Sequence, residues 1–134
     1  MPAAYACASV VVSAAVQPEG LQRAIVEAQA MARPVIVSDL AAGPEVVLTP
    51  PAVPESRITG LRFPAGNDTA LAGTLLRLFS MPEAVRATIG ARGRDWVVSH
   101  FNADGIAEQT LALYAEITSR RDSAPALVPQ PRQN

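Results

Sequence analysis

Two glutamates, Glu19 and Glu27, form the pair in this sequence whose spacing most suggests chemistry. They lie in the stretch QPEGLQRAIVEAQAMARPVIVSD, which is otherwise rich in alanine, valine and isoleucine. The apolar spacing predicts a helix that begins at Gly20 or Leu21. Glu19 would then lie at the helix N-terminus, and Glu27, about two turns later, would lean back along the face that leads to Gly20.

A helix N-terminus between two carboxylates could bind a ligand that carries both an anion and hydroxyl groups. Unpaired backbone N–H groups and the helix dipole favour phosphate there, and carboxylates accept hydrogen bonds from hydroxyls. A nucleoside diphosphate sugar has these parts. The spacing leaves an alternative open, in which Glu19 is a first-turn acid favoured by the dipole and Glu27 pairs with Arg23 on a solvated face.

Three further residues are candidates for ligand contacts because they follow predicted strands. Ser13 follows the first strand and could contact a phosphate, while Asp39 and Glu45 lie in the loop after the second, on the usual ligand side of a parallel sheet. A turn role for Ser13 and loop solvation for the two acids stay open. His100, the single histidine, is interpreted as a surface or capping residue near a helix end.

The elements that would position these residues form a βαβ unit. Short β-branched runs predict strands at residues 9–12 and Val35–Ser38, with a helix at residues 21–31 between them, and a third strand follows at Leu61–Phe63. Such runs are typical of strands covered on both faces. The predicted fold class is therefore α/β, a Rossmann-like parallel sheet of about three strands with flanking helices.

The remainder of the chain is predicted to be an irregular excursion followed by helices. The segment TPPAVPES contains three prolines and indicates loop structure between the second and third strands. Helices are predicted to start near Asn67, Pro82 and Asn102. Residues 1–120 are therefore interpreted as one partial domain, and residues 121–134 as a disordered tail.

Composition excludes several classes of function. The chain has 134 residues, 11 basic and 12 acidic side chains, one cysteine and one histidine. These counts exclude an intrachain disulfide and a multi-cysteine or histidine-based metal site. They also exclude the overall excess of basic side chains that is typical of nucleic-acid-binding proteins. The arginines around Arg92 are interpreted as a solvated helix face. No apolar run reaches membrane-spanning length, so a cytoplasmic protein is predicted, and Cys7 is expected to be buried.

The segment PEGLQRAIVEAQAMARPVIVSD is similar to the E-x7-E segment of the retaining GT-B glycosyltransferases, often called the group 1 family. Glu19 and Glu27 match the two motif glutamates. The stretch GPEVV matches the acidic loop of the family, and TGLRFPAGN matches its next strand and turn. The resemblance runs over about residues 2–117.

The resemblance implies a metal-independent transfer of a hexosyl unit, with retention, from a UDP- or GDP-linked sugar, without a cofactor. It implies that Glu19 contacts sugar hydroxyls, that the Gly20 and Leu21 amides lie near the phosphates, and that Glu27 binds the ribose. A role in cell-envelope polysaccharide synthesis and an acceptor at the membrane surface are also expected.

The resemblance covers only the last half of the second of two Rossmann-like domains. The acceptor domain and the strands that would hold the base and neutralise the pyrophosphate are missing. We therefore expect a C-terminal fragment, or a chain started at an internal methionine, with no useful activity alone. The chain also departs from the family at three alanines where glycine is usual or frequent, and their methyl groups could crowd the donor: Ala32, Ala41 and Ala42.

Two other functions stay open. One is a non-catalytic interaction or assembly module that keeps the glycosyltransferase fold. The other is a nucleotide-binding domain of another enzyme class, which the absence of glycine-rich phosphate-binding patterns disfavours. Because the resembling fold would place another strand beside residues 9–12, the exposed edge predicts a homodimer or larger assembly through this strand.

Overall fold

The computed structural model describes residues 2–40 and 42–122. The chain divides into two compact units, Met1–Phe101 and Asn102–Asn134. The elements in chain order are α1 (Pro2–Cys7), β1 (Val11–Ser13), α2 (Arg23–Ala30), β2 (Val35–Ser38), α3 (Gly43–Val46), β3 (Leu61–Phe63), α4 (Asp68–Ser80), α5 (Glu83–His100) and α6 (Ala103–Asp122).

The three strands form one parallel sheet in the order β1-β2-β3, as the sequence predicts. Val11 lies opposite Val35, and Ile36 lies opposite Leu61. β2 is the central strand, and all four of its residues are buried, which explains its unbroken apolar run. β1 begins later than predicted, because Val11 is the first of its residues that pairs with β2.

β2 divides the hydrophobic core between the two faces of the sheet, because successive side chains of a strand point to opposite faces. Val35 and Val37 pack with Ile25 and Ala28 of α2 in one cluster. Ile36 belongs to a second cluster, which includes residues of β3, α4 and α5: Leu61, Phe63, Leu78 and Ile89. Apolar residues therefore cover β2 on both faces, as in a Rossmann-like fold.

α2 ends in a left-handed turn that leads into β2. Ala32 has φ +55°, its N–H donates to the Gln29 carbonyl at 2.8 Å, and the Arg33 N–H donates to the Ala28 carbonyl at 3.0 Å. This is a Schellman motif, in which glycine is the preferred residue at the left-handed position. The alanine that departs from the family pattern thus lies where the backbone itself favours glycine.

Two glycines of α5 allow this helix to lie close to the end of α2. A Cβ on Gly90 would lie 2.1 Å from the Ala32 carbonyl oxygen, and one on Gly93 would lie 3.0 Å from the Thr59 carbonyl oxygen. The buried Gln29 side chain crosses the same contact and donates to the Thr59 carbonyl at 3.2 Å. α5 thereby fixes both the end of α2 and the start of β3.

The proline-containing excursion between α3 and β3 is closed at its base by Leu48 and Thr59. The Leu48 N–H donates to Thr59 Oγ1 at 2.8 Å, and the Thr59 N–H donates to the Leu48 carbonyl at 3.1 Å. A single 3-10 turn, Glu55–Arg57, lies at the far side. Its Glu55 forms an ion pair with Arg77 of α4.

The remaining sequence predictions have mixed outcomes. Asn67 caps α4 as predicted, with its side chain accepting a hydrogen bond from the Ala70 N–H at 2.9 Å. Cys7 is exposed, so the expectation of a buried thiol is wrong: the residue ends α1, and the valine run expected to cover it belongs to β1. α6 runs to Asp122, and residues 123–134 of the predicted tail lie outside the described residues. None of the helices described has the length and apolar character that a membrane span requires.

Candidate functional site

The loop between β1 and α2 carries the first of the two glutamates. α2 begins at Arg23 and is preceded by Gln22, so the predicted start at Gly20 or Leu21 is wrong. Gln22 has the non-helical backbone angles φ −77° and ψ 82° and a buried side chain, 7% exposed. Gly20 therefore lies outside the helix and does not share a helical face with Glu27, contrary to the prediction.

Glu19, Gly20 and Leu21 are all exposed in this loop. A Cβ on Gly20 would have no atom within 4 Å, so a ligand can approach the backbone closely. Within residues 2–40 and 42–122, no hydrogen bond or ion pair holds the Glu19 carboxylate. A ligand at this loop would displace no protein contact of that carboxylate.

Glu27 lies on α2 and is half-buried. Its carboxylate accepts a hydrogen bond from the Tyr5 hydroxyl of α1 at 3.2 Å and lies 3.6 Å from the Arg23 guanidinium. The pair with Arg23 is the alternative that the spacing left open; it is weak, because the Arg23 side chain is 85% exposed. Partial burial raises the pKa of the Tyr5 hydroxyl, and the adjacent Glu27 carboxylate raises it further.

The carboxyl ends of the parallel strands lie at one edge of the sheet, where Ser13 ends β1 and Asp39 follows β2. Ser13 is half-buried and Asp39 is exposed. The Asp39 N–H donates to the Phe63 carbonyl at 2.9 Å, and its carboxylate accepts from the Ala65 N–H at 2.9 Å. Asp39 therefore ties the turn after β3 to the end of β2, a role beyond loop solvation.

A cavity of about 350 Å³ opens beside Asp39, with Thr49 and Arg62 in its lining. The Arg62 guanidinium donates to the Pro50 carbonyl at 3.4 Å and places a positive charge there. Glu45 is exposed on α3 and is not part of this lining. The structure thus brings Asp39 to a cavity together with a cation that the sequence analysis did not single out.

Two buried polar side chains near the start of α2 and the end of β2 have no hydrogen-bond partner among the described residues. They are the Ser38 hydroxyl, which is 0% exposed, and the Gln22 amide, of which neither polar atom is paired. Such groups cost free energy and are rare in native structures. The sequence shows only that Ser38 ends an apolar strand and that Gln22 precedes a helix. Ordinary turn residues have the same pattern, so neither could be identified as a buried, unpaired group from the sequence.

The described residues give no support for a metal site or for a catalytic role of His100. Among the described residues, no group of three or more His, Cys, Asp or Glu side chains could hold a metal ion. His100 ends α5, where its Nδ1 lies 3.0 Å from the Trp96 carbonyl oxygen and its ring stacks on Trp96 at 3.7 Å. This is the helix-end role expected for it.

Comparison with protein families gives one match that covers more than half of the chain. A statistical model of the family described as "Glycosyl transferases group 1" matches residues 1–81. The matched region includes both glutamates and the elements from α1 to α4. No curated protein sequence matches the chain significantly.

Solved structures share the fold over most of this chain. A sucrose-phosphate synthase from Thermosynechococcus elongatus is similar at 33% identity with a TM-score of 0.71, and a glycosyltransferase from Rickettsia africae at 27% identity with a TM-score of 0.75. They cover 87% and 86% of this chain, which spans only 27% and 29% of theirs. Anabaena HepE, in complex with UDP and glucose, has the same fold at 20% identity and a TM-score of 0.73, covering 84% of this chain and 29% of its own.

Proposed function

Because this chain belongs to the group 1 glycosyl transferases, we propose that it is the C-terminal donor-binding half-domain of a retaining GT-B enzyme, which moves a sugar from a UDP- or GDP-linked donor to an acceptor. The pair Glu19 and Glu27 carries this proposal, since it lies on the loop and helix that follow the carboxyl end of β1. Ligands of open parallel sheets bind outside that edge. The fold shared with HepE, which is in complex with UDP and glucose, supports a nucleotide-sugar as the ligand.

In this proposal each residue of the motif contacts one part of the donor. Glu19 accepts hydrogen bonds from sugar hydroxyls, the Gly20 and Leu21 amides face the phosphates, and Glu27 binds the ribose diol. The exposure of the loop supports the first two roles, because no described residue binds the Glu19 carboxylate and a ligand would break no existing contact there. The hydrogen bond from Tyr5 supports the third, because it orients the Glu27 carboxylate before a ligand binds.

Three residues are secondary candidates for donor contacts: Ser13, Asp39 and Glu45. Ser13 ends the strand that leads to the motif loop, and Asp39 lines the cavity that also contains Arg62. Asp39 is the most constrained of the three, because one carboxylate oxygen already accepts from the Ala65 N–H. Glu45 is exposed and has the weakest support from the geometry.

The acceptor site and most contacts to the base and pyrophosphate are assigned to parts of the enzyme outside these 134 residues. The chain spans less than a third of the length of the similar glycosyltransferase structures. On this proposal the isolated chain transfers no sugar at a useful rate. The family resemblance further suggests a metal-independent reaction without a cofactor, and a cytoplasmic enzyme that acts at the membrane surface in cell-envelope polysaccharide synthesis.

NMR titration of the isolated chain with UDP-glucose and GDP-mannose tests the proposal. We expect weak, saturable shifts in the loop before α2, and Glu27→Gln should weaken binding about tenfold, because a charge-assisted hydrogen bond is lost. Glu108→Gln, on α6, is the control and should bind as the wild type does. Micromolar or tighter binding would contradict a partial site, and an equal loss in both variants would contradict the role of Glu27.

A non-catalytic assembly module is the second candidate, favoured by the position of β1 at the edge of the sheet. Such a module would self-associate through β1 without binding nucleotides. The same titration separates the two functions. An absence of shifts at millimolar nucleotide-sugar, together with self-association, would favour the module.

A further inference from the structure

A cavity of about 500 Å³ lies between the proline-containing excursion and α5. None of its lining residues belongs to α2 or to the loop that carries the donor motif. Thr59, which precedes β3, lies at its wall, whereas the donor residues follow the carboxyl end of a strand. The whole lining lies within Met1–Phe101, and the volume is within the usual range for small-molecule sites.

Three charged side chains that have no partner among the described residues line this cavity. Arg57 comes from the 3-10 turn of the excursion, and Arg92 and Asp95 come from α5. In the described part of the chain, no ion pair or side-chain hydrogen bond engages any of the three. Two guanidiniums against one carboxylate leave the lining with an excess positive charge, and all three groups are available to a ligand.

The rest of the lining is a tryptophan and an apolar wall. Trp96 is held in place by stacking on His100 at 3.7 Å and by an edge contact with Phe101 at 6.5 Å. Its indole Nε1 is buried and has no hydrogen-bond partner within residues 2–40 and 42–122. Leu48 and Val53 form apolar parts of the lining, which suit the carbon skeleton of a small organic molecule.

We propose that this cavity binds a small hydroxylated organic phosphate. The guanidiniums of Arg57 and Arg92 bind the phosphate group, because their planar forks match its oxygens with charge-assisted hydrogen bonds. Asp95 accepts hydrogen bonds from hydroxyls of the ligand, and Trp96 packs against its carbon skeleton. The site goes beyond the proposed donor site and shares no residue with it, so either can fail without the other.

The fluorescence of Trp96 provides a local test, because it is the only tryptophan of the chain. Titration of the full chain with glucose 6-phosphate should change the emission saturably, and titration with glucose should not. Arg57→Gln and Arg92→Gln should each lower the affinity about tenfold or more. Arg94→Gln is the matched control, since it removes a charge from the same helix outside the lining. Arg94 donates to the Ala30 carbonyl, so each variant is compared with its own ligand-free state.

Thermal unfolding with the same ligands gives a readout independent of the fluorophore, because a ligand that binds only the folded state raises Tm. The rise in Tm should be clearly smaller with Arg57→Gln and with Arg92→Gln, and unchanged with Arg94→Gln. The proposal would be overturned if neither emission nor Tm responds at millimolar glucose 6-phosphate, or if glucose binds as well. It would also be overturned by a Tm rise that is as large in both lining variants as in the wild type.

Discussion

Tyr5 connects Glu27 to a helix near the start of the chain and gives this contact a pH dependence. Its hydroxyl donates to Glu27, and its ring packs against the core cluster that includes Ile25. Partial burial and the Glu27 carboxylate raise the pKa of Tyr5 above its ordinary value of 10.0. The folded protein therefore keeps the phenol proton where the unfolded chain loses it. The resulting stabilisation is complete below about pH 10 and is lost as pH rises through the folded-state pKa.

Tyr5→Phe should remove this contribution while it retains the ring. We expect a lower free energy of unfolding than in the wild type at pH 8, and convergence of the two as pH rises above about 10. Urea denaturation across this pH range measures the difference. Tyr114→Phe, on α6, should follow the wild type throughout. A constant difference between Tyr5→Phe and wild type at every pH would contradict the hydrogen bond to Glu27.

The backbone conformation of Ala32 favours its replacement by glycine. Its φ of +55° is a left-handed conformation in which a Cβ costs about 1–2 kcal/mol. Glycine avoids that cost but loses more entropy on folding, so Ala32→Gly should stabilise the protein by about 0.5–1 kcal/mol. Ala91→Gly, at an exposed position within α5, should instead destabilise by about 1 kcal/mol. Denaturant midpoints of the two variants should therefore shift in opposite directions, and a loss of stability in Ala32→Gly would refute the strain.

At the level of elements, the contact between α2 and α5 depends on the absence of one side chain. A Cβ on Gly90 would lie 2.1 Å from the Ala32 carbonyl oxygen, which is backbone and cannot rotate away. Gly90→Ala should therefore separate the two helices and destabilise the protein by about 3 kcal/mol. Gly73→Ala, on α4, has no atom within 4 Å of the new methyl group and should stabilise by about 0.5–1 kcal/mol. Thermal unfolding of both variants tests this; equal effects would show that α5 does not touch the turn.

The sequence predicted the strands better than the start of α2, and the reason is local. β2 is buried on both faces, so its apolar run has one interpretation. The helix before it was extended to Leu21 by apolar spacing, but Leu21 is 50% exposed and Gln22 is the buried residue. Periodicity assumes that apolar residues face the core, and that assumption fails where a polar side chain fills the space. The sequence did not indicate that Gly90 and Gly93 of α5 allow a close helix contact, because that role depends on which helix lies against them.

The candidate site was predictable where it follows from topology. Parallel strands bring their carboxyl ends to one edge, so the neighbourhood of Ser13 and Asp39 could be predicted from strand order alone. The hydrogen bond from Tyr5 to Glu27 and the buried, unpaired Ser38 hydroxyl could not, because they depend on contacts between distant segments and on packing. The proposed donor contacts follow from the family pattern, and the titration with nucleotide-sugars tests them.

At the scale of the whole molecule, the three-stranded sheet of the described residues leaves β1 with one neighbour among them. The order β1-β2-β3 places β1 at an edge, as predicted from the sequence. Val10 and Val11 are half-buried against the two core clusters, and Val12 is 38% exposed. Neither lysine nor proline occurs in the strand to discourage pairing with another chain. An edge of this kind can recruit a strand from a second copy.

We therefore predict that the chain forms a dimer or larger assembly in which β1 pairs with β1 of another copy. Val12→Lys should shift the population towards monomer, because a charged side chain on an edge strand opposes strand pairing.

Val11→Lys is a poorer test, since Val11 packs against the core and the variant would also unfold the protein. Val16→Lys, at a position 70% exposed beyond the end of the strand, adds the same charge outside the pairing surface and should leave the assembly intact. Light scattering over a range of concentrations measures the mass. A wild type that stays monomeric at the highest concentration would contradict the prediction. It would show that α1 and the core already protect the edge, so that Val10 and Val11 need no second copy to cover them.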